Sequence, residues 1–129
     1  MTNKKDIRKN FRDSVFKRDN YTCRICGNGP YKALAEEQFD AHHIIDRSEM
    51  PNGGYVKENG ITVCKIPRGM AWNEEKQTYD FDNLSCHEKC EQFHISEGNK
   101  WVKNMHPNNL YAIIGSSKEL AIKESEKLR

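Results

Sequence analysis

The chain has no long hydrophobic run. Its first fifteen residues, MTNKKDIRKNFRDSV, are charged throughout, so they do not resemble a signal peptide, and no stretch approaches the length needed to cross a bilayer. The expectation is a soluble, intracellular protein. Internal repeats and low-complexity tracts are also missing, which excludes a repeat architecture. Apolar residues are scarce: 36% of 129 residues are hydrophobic and 31% charged, enough for one modest core that gains from a disulfide or metal staple. Charge of one sign is lacking as well, because a net +2 is too small to announce a nucleic-acid partner by itself.

Two features stand out against these absences. The first is the cysteine set. Five cysteines, an odd number that includes Cys23 and Cys26 in C-x2-C spacing, read in a reducing compartment as a metal site sooner than as a disulfide framework. The second is where the charge sits. Met1 to Arg24 holds eight Lys or Arg against three Asp, a local +5, while the rest is slightly acidic. Such a segment suits contact with phosphates, and its alternative is a solvated helix face.

Ile7, Phe11, Val15 and Phe16 recur at helical spacing and predict an amphipathic helix from about Lys5 to Lys17, broken by Asp19, Asn20 and Gly27. YTCRICGNGP follows as a knuckle-like turn. FDAHHII and GITVC read as two short strands of a hairpin joined by the turn-rich DRSEMPNGGYVKEN. Residues 65–84 carry no clear period, and Trp72, Tyr79 and Phe81 there are read as a small packing cluster. A helix is expected from near Asn83 or Ser85 to about Ile95. The C-terminal stretch reads as two short helices hinged at Gly115, with Ser116 and Glu119 spaced as a capping box for the second.

His42 and His43 are adjacent, so on a strand they point to opposite faces and cannot ligate one metal in the same way. In the helix SCHEKCEQFH, Cys86 and Cys90 share one face while His87 and Glu91 form a second pair rotated away from it. Sulfur on one side and nitrogen with oxygen on the other suit two metal sites: a closed thiolate site and a His/carboxylate site that keeps positions open for chemistry. Asp46 and His94 read as hydrogen-bonding or surface groups, His94 lying two turns from His87 and too far for joint ligation.

VFKRDNYTCRICG, AHHIIDR, ENGITVC and CHEKCE, in that order, resemble the HNH endonuclease family, whose signature is a ββα-metal unit. The resemblance covers residues 11–64 and 86–97, and PNNLYAIIGSSKELA resembles an extension of phage-encoded members. It implies an α+β fold: one HNH domain over 1–129, with a basic N-terminal helix in 1–20, a zinc-knuckle and ββα-metal core in 21–97 interrupted by an insertion at 65–85, and a helical extension in 98–129.

The same resemblance implies a metal-dependent DNA endonuclease that leaves a 5′ phosphate and a 3′ hydroxyl. His43 would be its general base, and Asn59 would hold the His43 ring through the neighbouring backbone or a ring nitrogen. The other reading of Asn59 is a left-handed turn residue before Gly60. His42, His87 and Glu91 would ligate the catalytic divalent ion, Mg²⁺ or Mn²⁺, with Ni²⁺ or Zn²⁺ as alternatives. Cys23, Cys26, Cys64 and Cys86 would hold a structural Zn²⁺, with Cys90 the alternative to Cys86. Here the chain departs from the family pattern, since twenty-one residues separate Cys64 from Cys86 where a second C-x2-C is usual.

Lys5, Arg8, Lys9 and Arg12 are the expected DNA-binding face; Arg47, Lys65, Arg68 and Lys89 are the alternative cations. The expected partner is DNA, with phage packaging or restriction proteins beside it. A monomer in a bacterial or phage-infected cytoplasm completes the expectation. Two other functions stay open: a catalytically silent, zinc-stabilised DNA-binding module, and a nuclease subunit directed by such a complex.

Overall fold

The computed structural model describes residues 4–67, 70–81 and 84–128, and only the backbone of 70–73 and 79–81. The described residues form five α-helices and two two-stranded antiparallel sheets. Helix α1 (Lys4–Arg18) buries Phe11, Val15 and Phe16, three of the four residues that set its helical period. A single turn, α2 (Ala35–Gln38), leads into β1 (Phe39–His43), one end of the FDAHHII segment. Ile44 and Ile45 continue as buried residues outside the ladder. After a run of 3-10 turns over residues 47–59 the chain returns as β2 (Gly60–Cys64).

Strand β1 pairs with β2 in the register Phe39↔Cys64, Asp40↔Val63, Ala41↔Thr62, His42↔Ile61 and His43↔Gly60. Directly opposed residues share a face. One face therefore carries Phe39, His43 and Gly60 toward α1, and the other carries Asp40 and His42 toward α3 (Cys86–Ile95). Every residue of β2 is buried, as expected for a β-branched strand covered on both sides. Gly60 matters for one contact: a Cβ there would lie 2.5 Å from Val15 and 2.7 Å from Phe11, so its missing side chain lets α1 dock over His43.

The outer edge of β2 is covered by the segment after α1. Asp19 accepts from Thr62 N (2.9 Å), Arg24 N donates to Thr62 O (2.9 Å), and the buried Asp19 carboxylate also takes Arg18 (2.8 Å) and Arg24 (3.0 Å). Asp19 is thus more than the helix breaker read from sequence; it fastens the knuckle to the hairpin.

Residues 65–84, unassigned from sequence, contain a second hairpin, β3 (Met70–Asn73) with β4 (Thr78–Phe81). The packing cluster of Trp72, Tyr79 and Phe81, and Arg68, fall outside the described side chains. Helix α3 opens on a capping box in which Ser85 accepts from Glu88 N and Glu88 accepts from Ser85 N. The C-terminal pair, α4 (Pro107–Ile114) and α5 (Lys118–Glu126), hinges at a left-handed Gly115. The cap of α5 is Ser117, which accepts from Leu120 N (3.1 Å), and not Ser116. Ser116 instead donates to Glu58 O (2.8 Å), a tertiary bond that takes it out of the cap position. Among the described residues no helix is long and apolar enough to cross a membrane.

Candidate functional site

Four thiols meet where the knuckle, the end of β2 and the start of α3 converge. One sulfur from each of Cys23, Cys26, Cys64 and Cys86 lies within 4.8 Å of the others, with Cys26 and Cys64 at 3.5 Å. Zinc–sulfur bonds of about 2.3 Å in a tetrahedron put sulfurs roughly 3.8 Å apart, so the cluster has the right size. Its surroundings favour a thiolate at Cys23. Cys26 N and Cys64 N each approach Cys23 Sγ at 3.4 Å, and Asn28 Nδ2 donates to Cys64 Sγ at 3.7 Å. A hydrogen bond from the Cys86 thiol, with those backbone donors, brings Cys23 down to about 4. That hydrogen bond to Cys23 and burial push Cys86 up, burial pushes Cys64 up to about 12, and the neighbouring sulfur charge adds to both, a crowding that a divalent cation relieves. The set suits a structural metal such as zinc. Cys90, buried one turn down α3, stands outside it, and burial pushes its thiol up to about 12.

On the other face of α3 a second set forms. His42 Nδ1 and His87 Nε2 each lie 3.0 Å from the same oxygen of Glu91, and the three ligating atoms fall within 4.8 Å of one another. Ligands about 2.0–2.2 Å from one ion sit about 3 Å apart, so this mixed nitrogen and oxygen set has a spacing that could hold a metal ion. The other ring nitrogen of His87 is held by Asp40 at 2.7 Å, the outer carboxylate that fixes a ligand's ring and tautomer. Asp40 was not singled out in the sequence, although it lies two residues before His42 and hence on the same strand face.

The electrostatics of the set are uneven. Burial lowers His42, so its bond to Glu91 runs from a neutral ring, while the bonds from His42 and His87 hold Glu91 well below the usual carboxylate range. Burial also pulls His87 down, but hydrogen bonds to Asp40 and Glu91 outweigh it and raise the ring to about 9. His94 stays outside the set: its Nε2 donates to His43 O (3.0 Å) and so braces the end of β1. Asp46 accepts from Ser48 N and Oγ.

His43 sits on the opposite side of the strand. Its ring stacks on Phe11 at 4.4 Å and meets Tyr55 edge to face at 4.8 Å. Burial lowers its pKa to about 4, so the ring is neutral over the physiological range. Nε2 is enclosed without a hydrogen-bond partner, which leaves Nδ1 as the nitrogen open to solvent. His43, His87 and Glu91 line one cleft of about 490 Å³, which Arg8 and Arg12 also line.

Asn59 does not reach the His43 ring. Fully buried, it accepts from Ile45 N (3.1 Å) and Tyr111 OH (2.7 Å) and donates to Ile45 O (3.1 Å) and Gly54 O (3.3 Å). It therefore ties the backbone two residues beyond His43 to the 3-10 turns and α4. The left-handed reading fails too, because Asn59 is not among the residues with positive φ and Gly60 has φ −131°.

Of the four expected DNA-binding cations, Lys5 and Arg8 are exposed, whereas Lys9 is paired to Asp13 (2.8 Å) and Arg12, partly buried, to Glu36 (2.8 Å). Arg8 lies 6.0 Å from the centre of the Tyr55 ring. Compared with family models, with curated proteins and with solved structures, the chain matches none.

Proposed function

We propose that the protein is a metal-dependent DNA endonuclease of the HNH type. The observation that carries this reading is that a neutral, partly enclosed histidine, His43, opens into the same cleft as His87 and Glu91, two members of a convergent His/His/carboxylate set. Binding alone has no need of a base beside a cation site.

A divalent ion in the His42–His87–Glu91 set would supply charge stabilisation at the phosphoryl oxygens and the leaving 3′ oxygen. The chain's own residues do the rest. His43 Nδ1 accepts a proton from a water as that water's oxygen attacks phosphorus; the bond from phosphorus to the 3′ oxygen breaks, and the leaving oxygen takes a proton from solvent. Phe11 and Tyr55 fix the His43 ring and exclude water from Nε2, leaving one nitrogen for the reaction. Asp40 holds the His87 ring with Nε2 toward Glu91. Arg8 and Arg12 face the cleft as cations for the flanking phosphates. The thiolate cluster, bound to Zn²⁺, fastens the knuckle to β2 and α3 and so sets the spacing of the two strand histidines from the helix.

A second reading, a zinc-stabilised DNA-binding module without cutting activity, draws on the hydrogen bonds that link His42 Nδ1, Glu91, His87 and Asp40 in a chain without an ion. Calorimetric titration of the purified protein with Mn²⁺ separates the two. The nuclease reading expects one weak site beyond the tightly held zinc, lost in His87→Ala, with DNA ends bearing 5′ phosphates. Identical metal binding in wild type, His42→Ala and His87→Ala would contradict it.

A further inference from the structure

The catalytic cleft is not the larger one. A neighbouring cleft of about 580 Å³, well inside the size range of small-molecule sites, lies between the start of α1, the 46–55 turns and the C-terminal Leu128. The two share Arg8, Asp46, Arg47 and Tyr55, so they adjoin, and the Tyr55 ring, which lines both, meets the His43 ring at 4.8 Å.

The chemistry of the second cleft differs from the first. Ile7, Leu128 and the Tyr55 ring give it apolar walls, while Lys4, Arg8 and Arg47 give it cations. Arg47 donates to the Tyr55 hydroxyl (3.2 Å), and the one acid on this wall, Asp46, is already engaged by Ser48. A flat apolar body joined to an anionic link fits both halves, and beside a base that activates water for attack on a phosphodiester this describes a nucleotide. We propose that this cleft seats an unpaired nucleotide next to the scissile phosphate, so that the preferred substrate is DNA with an unpaired nucleotide at the cut; the substrate part rests on the nuclease reading above. A paired base is stacked inside the duplex and must be extruded to enter such a cleft, whereas an unpaired one is free to enter.

The test is a binding measurement that involves no cutting. Fluorescence anisotropy of the zinc-loaded His43→Ala protein is read with three labelled oligonucleotides of one sequence: single-stranded, fully paired, and paired with a one-nucleotide bulge. The expected result is that the bulged and single-stranded probes bind about tenfold tighter than the paired one. Ile7→Gln and Leu128→Gln, which take apolar lining from the cleft without adding a charge or an aromatic ring, should remove that preference by weakening the unpaired probes alone, and one folded variant suffices. Equal affinity for all probes would overturn the proposal. So would glutamine variants that keep the preference, or that weaken every probe alike and so mark the cleft as a general backbone contact. A preference that persists in a protein whose wild type cuts nothing would remove the nuclease reading and leave the nucleotide site standing.

Discussion

Replacing Asn59 by alanine tests whether this residue acts as a staple of the fold or as an orienter of the His43 ring. The side chain is fully buried and makes four hydrogen bonds, to Ile45 N, Ile45 O, Gly54 O and Tyr111 OH. A net of about 1 kcal/mol for each bond, with the partners stranded in a dry pocket, gives a destabilisation of about 4 kcal/mol. That is a large part of the roughly 5–15 kcal/mol available to a domain. Tyr111→Phe removes one of the four and should cost about 1 kcal/mol. Asn59→Asp should approach the alanine variant, because a carboxylate cannot donate to the carbonyls of Ile45 and Gly54 and is repelled by them. Urea unfolding of zinc-loaded protein, followed by circular dichroism, measures all three. A loss under about 1 kcal/mol in Asn59→Ala would refute the staple.

Further outcomes follow from the same geometry. Cys86→Ser should lose the tightly held zinc and unfold with Cys23→Ser, while Cys90→Ser keeps zinc at one equivalent by metal analysis, since Cys90 lies outside the thiolate set. Gly60→Ala places a Cβ 2.5 Å from Val15 and 2.7 Å from Phe11, so it should cost about 1–3 kcal/mol by thermal unfolding and loosen Phe11 from His43. Because the His87 ring is raised to about 9 in the metal-free protein, it is protonated below that pH, and an ion must displace the proton. Divalent-ion affinity by calorimetry should therefore rise about tenfold per pH unit from 7 toward 9 and level off above, and a flat profile would contradict the ligation. Replacing Lys5, Arg8, Lys9 and Arg12 by Gln should weaken binding to all DNA sequences alike and flatten its salt dependence, with Lys5 and Arg8 contributing most because Lys9 and Arg12 already have acidic partners.

What could be read from the sequence was periodic or local. The apolar period of α1, the alternation that parts His42 from His43, and the helix phase that parts Cys86 from His87 are repeats within single elements, and the structure lays them out accordingly. The alternation would also have found Asp40, since it shares the face of His42 two residues away. The rest depends on which elements dock. Phe11 stacking on His43, Tyr55 closing its other side, Asp19 fastening the knuckle to Thr62, and Tyr111 reaching Asn59 from 52 positions away are contacts between distant segments, for which no short window carries a signal. The β3–β4 hairpin escaped for a different reason: its strands are four residues each, too short for alternation to separate them from a loop.

In the proposed reaction His43 takes a proton from the water that attacks a phosphodiester beside a bound divalent ion. The measurement closest to it is cleavage of supercoiled plasmid by wild type and His43→Ala, purified side by side, across Mg²⁺, Mn²⁺, Ni²⁺ and Zn²⁺, with zinc content and DNA affinity determined on the same samples. Wild type should cut in a metal-dependent way, and His43→Ala should lose about two to four orders of magnitude at unchanged zinc content and affinity. Equal cutting by both proteins, or no cutting by wild type with any of the four ions, would contradict this reaction.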